Sequence, residues 1–122
     1  MAYPAKILLA WGEAISGDEA FRSYLMTHGF EELGLFCFAL HHDAKSRTWL
    51  MTEGFPHLMA LIRGAEGDQD AVGWLTRHGY TNLVGVARGA DNDDDAIRRL
   101  MARGEGEWAG LALKIRSVKN TI

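Results

Sequence analysis

Residues 42–66 read HDAKSRTWLMTEGFPHLMALIRGAE, and residues 67–91 read GDQDAVGWLTRHGYTNLVGVARGAD. The two segments align without a gap, and the flanking segments 17–41 and 92–116 align with them in the same way. The chain of 122 residues therefore carries four successive copies of a 25-residue pattern. Self-similarity at a fixed period is typical of proteins built from stacked structural repeats.

Three positions of the pattern keep one residue type in all four copies. They are an Asp at the second position, a Leu at the ninth and a Gly at the thirteenth: Asp18, Asp43, Asp68, Asp93; Leu25, Leu50, Leu75, Leu100; Gly29, Gly54, Gly79, Gly104. Apolar residues at the fifth, eighth and ninth positions have the i, i+3, i+4 spacing of one helical face. The Asp suits an N-cap and the Gly suits a helix end. The first half of each unit is therefore predicted to be a helix.

The second half of each unit contains short apolar runs that resemble buried strands. Residues 33–40, LGLFCFAL, are an example. The repeat decides against strands, because positions 17, 20, 21 and 24 are apolar in every unit, starting with Leu33, Phe36, Cys37 and Leu40. This spacing continues the helical period, and Pro56 suits a first helical turn. The second half is predicted to be a helix as well.

The predicted fold is all-α, an α-solenoid of four 25-residue helical-hairpin repeats with a leading N-terminal helix, and so about nine short helices. One unit cannot bury both faces of its helix pair, so neighbouring units must stack. The whole chain, residues 1–122, is predicted to be a single helical-repeat domain. Its parts are a capping helix 3–16, repeats 17–41, 42–66, 67–91 and 92–116, and a C-terminal extension 117–122.

Aromatic residues recur at the eighth position of the first three units, as Tyr24, Trp49 and Trp74. At helical spacing such a stripe is interpreted as core. Segments such as Trp49–Phe55, with the pattern Trp-Leu-x-x-x-Gly-Phe, resemble the ends of the second helices of ankyrin repeats. Ankyrin repeats are longer and begin with Thr-Pro-Leu-His, which this chain lacks. The resemblance therefore implies a class of architecture and transfers no residue roles.

Composition narrows the possible partners and location. The formal charge is −3, and Lys and Arg form no block of the kind that binds a phosphate backbone, so nucleic acid is not expected as a partner. The apolar run Ile7–Trp11 is too short to span a membrane or to form a signal-peptide core. Cys37, the single cysteine, is expected to be a small core residue. The protein is expected to be cytoplasmic.

Two local clusters could suggest chemistry. Residues 91–95, DNDDD, resemble the start of a calcium loop, but Ala96 and Ala102 replace the Gly and Glu that such a loop requires at its sixth and twelfth positions. His41, His42 and Asp43 form the one local His/acid cluster. Two adjacent His rarely turn both rings toward one metal. We therefore predict no cofactor and no metal, and no enzyme activity.

A recognition surface is predicted at the positions of the second helix that do not face the core, chiefly the sixteenth and twenty-second. The candidate partner-binding residues at these positions are Glu32, Phe38, His57, Arg63, Asn82 and Arg88. Arg63 and Arg88 are expected to lie one above the other and to bind a carboxylate. Side chains that vary on a constant framework are what a binding surface requires.

The leading hypothesis is a non-enzymatic helical repeat module of scaffold or adaptor type that binds a protein or peptide, as a monomer or weak homo-oligomer. One alternative is a small enzyme or metal-binding protein that uses His41, His42 and Asp43. A second alternative is a structural protein that acts by self-association through apolar faces at its ends.

Overall fold

The structure is a computed structural model that describes residues 3–122. Within that range the chain forms nine α-helices and no strand. They are α1 Ala5–Ile15, α2 Glu19–Thr27, α3 Glu31–Leu40, α4 Ala44–Thr52, α5 Pro56–Ala65, α6 Gln69–Arg77, α7 Thr81–Ala90, α8 Asp94–Ala102 and α9 Gly106–Thr121. The predicted all-α class is confirmed, and the apolar runs that resemble strands are helical.

Each even-numbered helix lies between an invariant Asp and an invariant Gly. Each invariant Asp is an N-cap whose carboxylate accepts a hydrogen bond from a backbone amide of the first turn. Asp43, for example, accepts one of 2.9 Å from the Ser46 amide. Each invariant Gly follows the helix with a positive φ, between +76° and +91°. Only glycine adopts this conformation without steric cost. The predicted caps and stops are confirmed.

The five odd-numbered helices run parallel. Residue pairs that meet across neighbouring helices keep the same order along both helices. These pairs are Tyr3 with Glu32 and Trp11 with Phe36, Trp11 with Trp108 and Glu13 with Lys114, Gly89 with Ala112 and Asp91 with Lys119, and His57 with Tyr80 and Gly64 with Ala87. The N-terminal ends of these helices therefore lie at one end of the molecule, which we call the N-terminal end.

The first and last helices are in contact, so the odd-numbered helices close on themselves. Helix α1 packs against both α3 and α9, and α9 also packs against α7. The Trp11 and Trp108 rings meet edge to face with their centroids 6.4 Å apart, and Lys114 bonds Glu13 at 2.9 Å. An extended solenoid would keep its two ends apart. Burying two tryptophans between the ends favours the closed arrangement.

The even-numbered helices lie on the outside, and each packs against the odd-numbered helices that flank it in sequence. Their invariant leucines, Leu25, Leu50, Leu75 and Leu100, are all fully buried. Burial of one such side chain stabilises a fold by about 1.5–3 kcal/mol. The prediction that the eighth position is core is wrong for Tyr24, which is 40% exposed, and Trp49 and Trp74 are half-buried.

Cys37 is buried in α3, as expected, and burial raises the pKa of its thiol to about 12. None of the helices within residues 3–122 has the length and apolarity needed to cross a lipid bilayer.

Candidate partner-binding grooves

The structure separates the six predicted binding residues into two groups. Those at the sixteenth position are the second residues of α3, α5 and α7, at the N-terminal end of the molecule: Glu32, His57 and Asn82. Those at the twenty-second position lie near the other ends of the same helices, on the outer side: Phe38, Arg63 and Arg88. The two groups do not form one continuous surface. This corrects the expectation that both positions line the same face.

Glu32 is the clearest departure from the predicted surface, because it is buried. Its carboxylate accepts a hydrogen bond of 2.8 Å from the Tyr3 hydroxyl. Burial is the main cause that raises the pKa of Tyr3, and this hydrogen bond adds to it. A carboxylate in the first turn of α3 also interacts favourably with the helix dipole. Glu32 therefore holds the segment before α1 against α3.

His57 belongs to a series of aromatic rings along the N-terminal end. Its imidazole stacks on the Tyr80 ring with centroids 5.0 Å apart, and Tyr80 in turn stacks on Trp74 at 6.1 Å. On its other side, His57 meets the Phe55 ring at 6.1 Å. Burial lowers the pKa of His57, and the Glu32 carboxylate opposes this in part. His57 and Glu32 are therefore both placed to stabilise the helix bundle.

Phe38 is exposed but already has a partner. The guanidinium of Arg22 lies over the Phe38 ring, 4.6 Å from its centroid. A cation at this distance is attracted to the negative face of the ring. The intramolecular contact accounts for an exposed phenylalanine that is difficult to explain as plain surface.

Arg63 lines an open groove between α4, α5 and α6, which we call the α4–α6 groove. Its volume is about 350 Å³, within the range of ligand pockets. Apolar side chains and the ring of Trp74 form much of its lining: Met51, Pro56, Met59, Ala60, Ala71 and Trp74. Arg63 and Arg77 add two guanidinium groups. The groove thus combines an apolar lining with two guanidinium groups and the carboxylates of Asp68 and Asp70.

The cations of the α4–α6 groove are available to a ligand. Neither Arg63 nor Arg77 forms an ion pair with any residue in the described range 3–122. Two carboxylates share the lining, but that of Asp68 accepts the amides of Asp70 and Ala71 as a helix cap. The charge of Asp68 is therefore partly balanced by the N-terminus of α6.

Arg88 lines a separate, smaller pocket between α7 and α8, which we call the α7–α8 pocket. Its volume is about 130 Å³. The residues around it are Thr81, Val84, Gly85, Arg88, Ala96, Arg99 and Arg103. Arg63 and Arg88, expected to act as one pair, therefore belong to two different concave sites.

The His41–Asp43 cluster is engaged in local structure. The Asp43 carboxylate caps α4, and hydrogen bonds from the Ser46 hydroxyl and amide hold its pKa below the usual value. His42 Nδ1 lies 3.3 Å from an Arg47 nitrogen and 3.8 Å from a Glu66 oxygen. His41 is exposed. No group of three His, Cys, Asp or Glu side chains within residues 3–122 is arranged to hold a metal ion.

The acidic run at residues 91–95 is neutralised by cations of the same chain. Each of its four aspartates has an ion-pair partner: Asp91 with Lys119, Asp93 with Arg99, Asp94 with Arg116 and Asp95 with Arg98. The pairs with Lys119 and Arg116 attach the start of α8 to α9. The pairs with Arg98 and Arg99 connect it to later residues of α8.

Sequence reasoning missed most of the residues that line the two concave sites. Trp74 is at a position interpreted as core, and the predicted binding surface does not include Met51 or Arg77. The sequence offers one signal for the α7–α8 pocket: Arg99 replaces an aromatic residue at the eighth position of the last unit. No protein-family model, curated protein or solved structure matches this chain. The ankyrin resemblance therefore has no support beyond the quoted segments.

Proposed function

We propose that this protein is a non-enzymatic interaction module, a four-unit helical repeat closed by its N-terminal helix, that binds a protein or peptide partner in the α4–α6 groove. The observation that supports this most strongly is the composition of the groove. Met51 and Trp74 offer an apolar surface, while Arg63 and Arg77 stand beside it without an ion pair in the described residues, in a lining that Asp68 and Asp70 share.

The groove fits a peptide that presents an apolar side chain and a carboxylate on the same side. Methionine side chains are flexible and adapt to apolar side chains of different shape. A guanidinium binds a carboxylate through two parallel hydrogen bonds, which fixes the orientation of the ligand. An amphipathic acidic helix has both features at i, i+3, i+4 spacing. The partner is therefore proposed to contribute such a segment.

The experiment is an affinity capture from the source cells with quantitative mass spectrometry. The groove variant carries Arg63→Glu and Arg77→Glu. The control variant carries Lys6→Glu and Lys45→Glu, which change the net charge by the same amount at exposed residues outside the groove. Urea unfolding of both variants checks that the fold is kept.

We expect one set of proteins to be enriched by the wild type and by the lysine control, and to be lost with the groove variant. Reversal of two charges in a binding site commonly weakens binding by several kcal/mol. If both variants keep the captured proteins equally, or both lose them equally, the α4–α6 groove is not the binding site.

Self-association is a second candidate, because α1 and α9 each expose a large apolar side chain. Leu9 is 61% exposed and Leu113 is 45% exposed. Light scattering of the untagged protein over a range of concentrations tests this role. A defined oligomer that Leu9→Gln and Leu113→Gln dissociate would support it, and a monomer at all concentrations would exclude it.

A further inference from the structure

The α7–α8 pocket lies one repeat after the α4–α6 groove and is lined mostly from equivalent positions of the 25-residue pattern. Different side chains occupy several of these positions in the two sites. Shifting by one repeat replaces Pro56 by Thr81, Met59 by Val84, Ala60 by Gly85 and Trp74 by Arg99, while Arg63 becomes Arg88. The exchanges remove an indole, a thioether and a proline ring, and they add a hydroxyl and a guanidinium. Part of the apolar lining of the first site is thus replaced by polar and cationic side chains in the second.

Three arginines line one small space. Arg88 comes from α7, Arg99 from α8 and Arg103 from the residue that ends α8. The volume of about 130 Å³ equals the share of about four water molecules in the liquid. This is enough for a tetrahedral oxyanion with one or two waters and too little for a peptide helix.

The acidic groups near the pocket do not cancel this charge. Arg88 forms no ion pair with a residue in the described range. The Arg99 guanidinium lies 3.9 Å from an Asp93 oxygen, and Arg103 bonds Glu105 only through Nε at 3.2 Å. Both pairs are partly exposed, and exposed pairs of this kind are weak. Three cations therefore face two carboxylates.

The rest of the lining also suits an oxyanion. The Thr81 hydroxyl makes no hydrogen bond within residues 3–122, and it stands at the first residue of α7, where the helix dipole favours negative charge. A Cβ added at Gly85 would lie 3.0 Å from the buried Leu100 side chain, so this glycine lets α8 pack closely on α7 beside the pocket. The lining thus adds a hydroxyl donor to the three arginines.

We propose that the α7–α8 pocket binds a phosphate group, either as the free ion or as the phosphoryl group of a partner. A dianionic phosphate offers three or more acceptor oxygens, which match the forked donors of Arg88, Arg99 and Arg103. A single carboxylate has two oxygens and one charge, so it satisfies fewer of these donors. The proposal does not depend on the α4–α6 groove, because the free ion needs no peptide.

The test is a titration of the ¹⁵N-labelled protein with inorganic phosphate, followed by NMR at constant ionic strength with chloride as the replaced anion. In the wild type, the amides of residues 81–85 and 96–103 are expected to shift and to saturate. Arg88→Gln and Arg99→Gln are expected to weaken binding at least tenfold. Arg98→Gln is the matched control, because Arg98 neighbours Arg99 on the same helix but lies outside the pocket.

Two further titrations distinguish the source of the phosphate. Saturation by both inorganic phosphate and capped phosphoserine supports a site that accepts a phosphoryl group on a partner. Saturation by inorganic phosphate alone supports a site for the free ion. Linear shifts without saturation, or equal weakening by Arg98→Gln and Arg99→Gln, would overturn the proposal. Either result leaves the capture experiment on the α4–α6 groove unaffected.

Discussion

Replacement of Gly64 by alanine tests the close approach of α5 and α7. A Cβ built on Gly64 would lie 2.9 Å from the Ala87 Cβ and 3.1 Å from the Val72 Cγ2. Non-bonded carbon atoms prefer about 3.5–4.0 Å. The Ala87 methyl is fixed by its backbone, so it cannot rotate away. The helices would have to separate by several tenths of an ångström.

Two opposing effects determine the magnitude. Alanine in place of glycine stabilises a helix interior by about 1 kcal/mol, and by no more than this at Gly64, the penultimate residue of α5. Insertion of a methyl group into a well-packed core costs about 1–3 kcal/mol. The expected result for Gly64→Ala is therefore a net loss of about 1 kcal/mol in the free energy of unfolding, because the overpacking exceeds the gain in propensity.

Gly110→Ala is the matched control. Gly110 also lies inside a helix, α9, but a Cβ added there has no neighbouring atom within 4 Å. Only the propensity gain remains, so this variant should be more stable than the wild type by about 1 kcal/mol. Urea unfolding followed by circular dichroism measures both. A Gly64→Ala protein as stable as the wild type, or more so, would refute the close packing of α5 on α7.

Three further predictions follow from local geometry. His42 has a φ of +69°, and His42→Gly should stabilise the protein by about 0.5–1 kcal/mol in urea unfolding, since the left-handed conformation costs more than the added chain entropy of glycine; Asn92→Gly should gain less, because asparagine tolerates this conformation. Cys37 should resist a thiol reagent at pH 7 until urea unfolds the chain, because its pKa is raised to about 12; fast labelling of the native protein would contradict its burial. The pKa of His57 is lowered in the folded state, so its stabilising effect is complete above about pH 6.5 and is lost as the pH falls toward the folded pKa. His57→Gln should therefore show a smaller loss of unfolding free energy between pH 7.5 and 5.5 than the wild type, and an unchanged loss would argue against the buried imidazole.

The helices and their ends are predictable from the sequence because each is specified within a single unit. Asp43 accepts a hydrogen bond from an amide three residues away, and Gly54 adopts a positive φ because it has no side chain. Four copies of the same local pattern also remove the ambiguity between helix and strand. Local chemistry repeated at one period is therefore sufficient for this level of structure.

The contact between α1 and α9 is not predictable in this way. Glu13 and Lys114 are about 100 residues apart, and their meeting depends on the rotation from each unit to the next. No single unit contains that rotation. The sequence also does not predict that Glu32 and Arg63 lie at opposite ends of the odd-numbered helices with different surroundings. The helical period shows which side of a helix a residue occupies, but not what packs against it. The hydrogen-bond partner of the buried Glu32 is Tyr3, which lies outside the repeat.

The proposed groove is tested most directly by site-specific photo-cross-linking to the captured partner. Met51 lines the α4–α6 groove and is 55% exposed, whereas Met101 occupies the same position of the last unit, is 59% exposed and lies outside both concave sites. Benzoylphenylalanine is placed at either residue before irradiation with the partner bound. The account predicts a cross-linked partner from Met51 and none from Met101. Equal cross-linking from both residues, or cross-linking from Met101 alone, would contradict it.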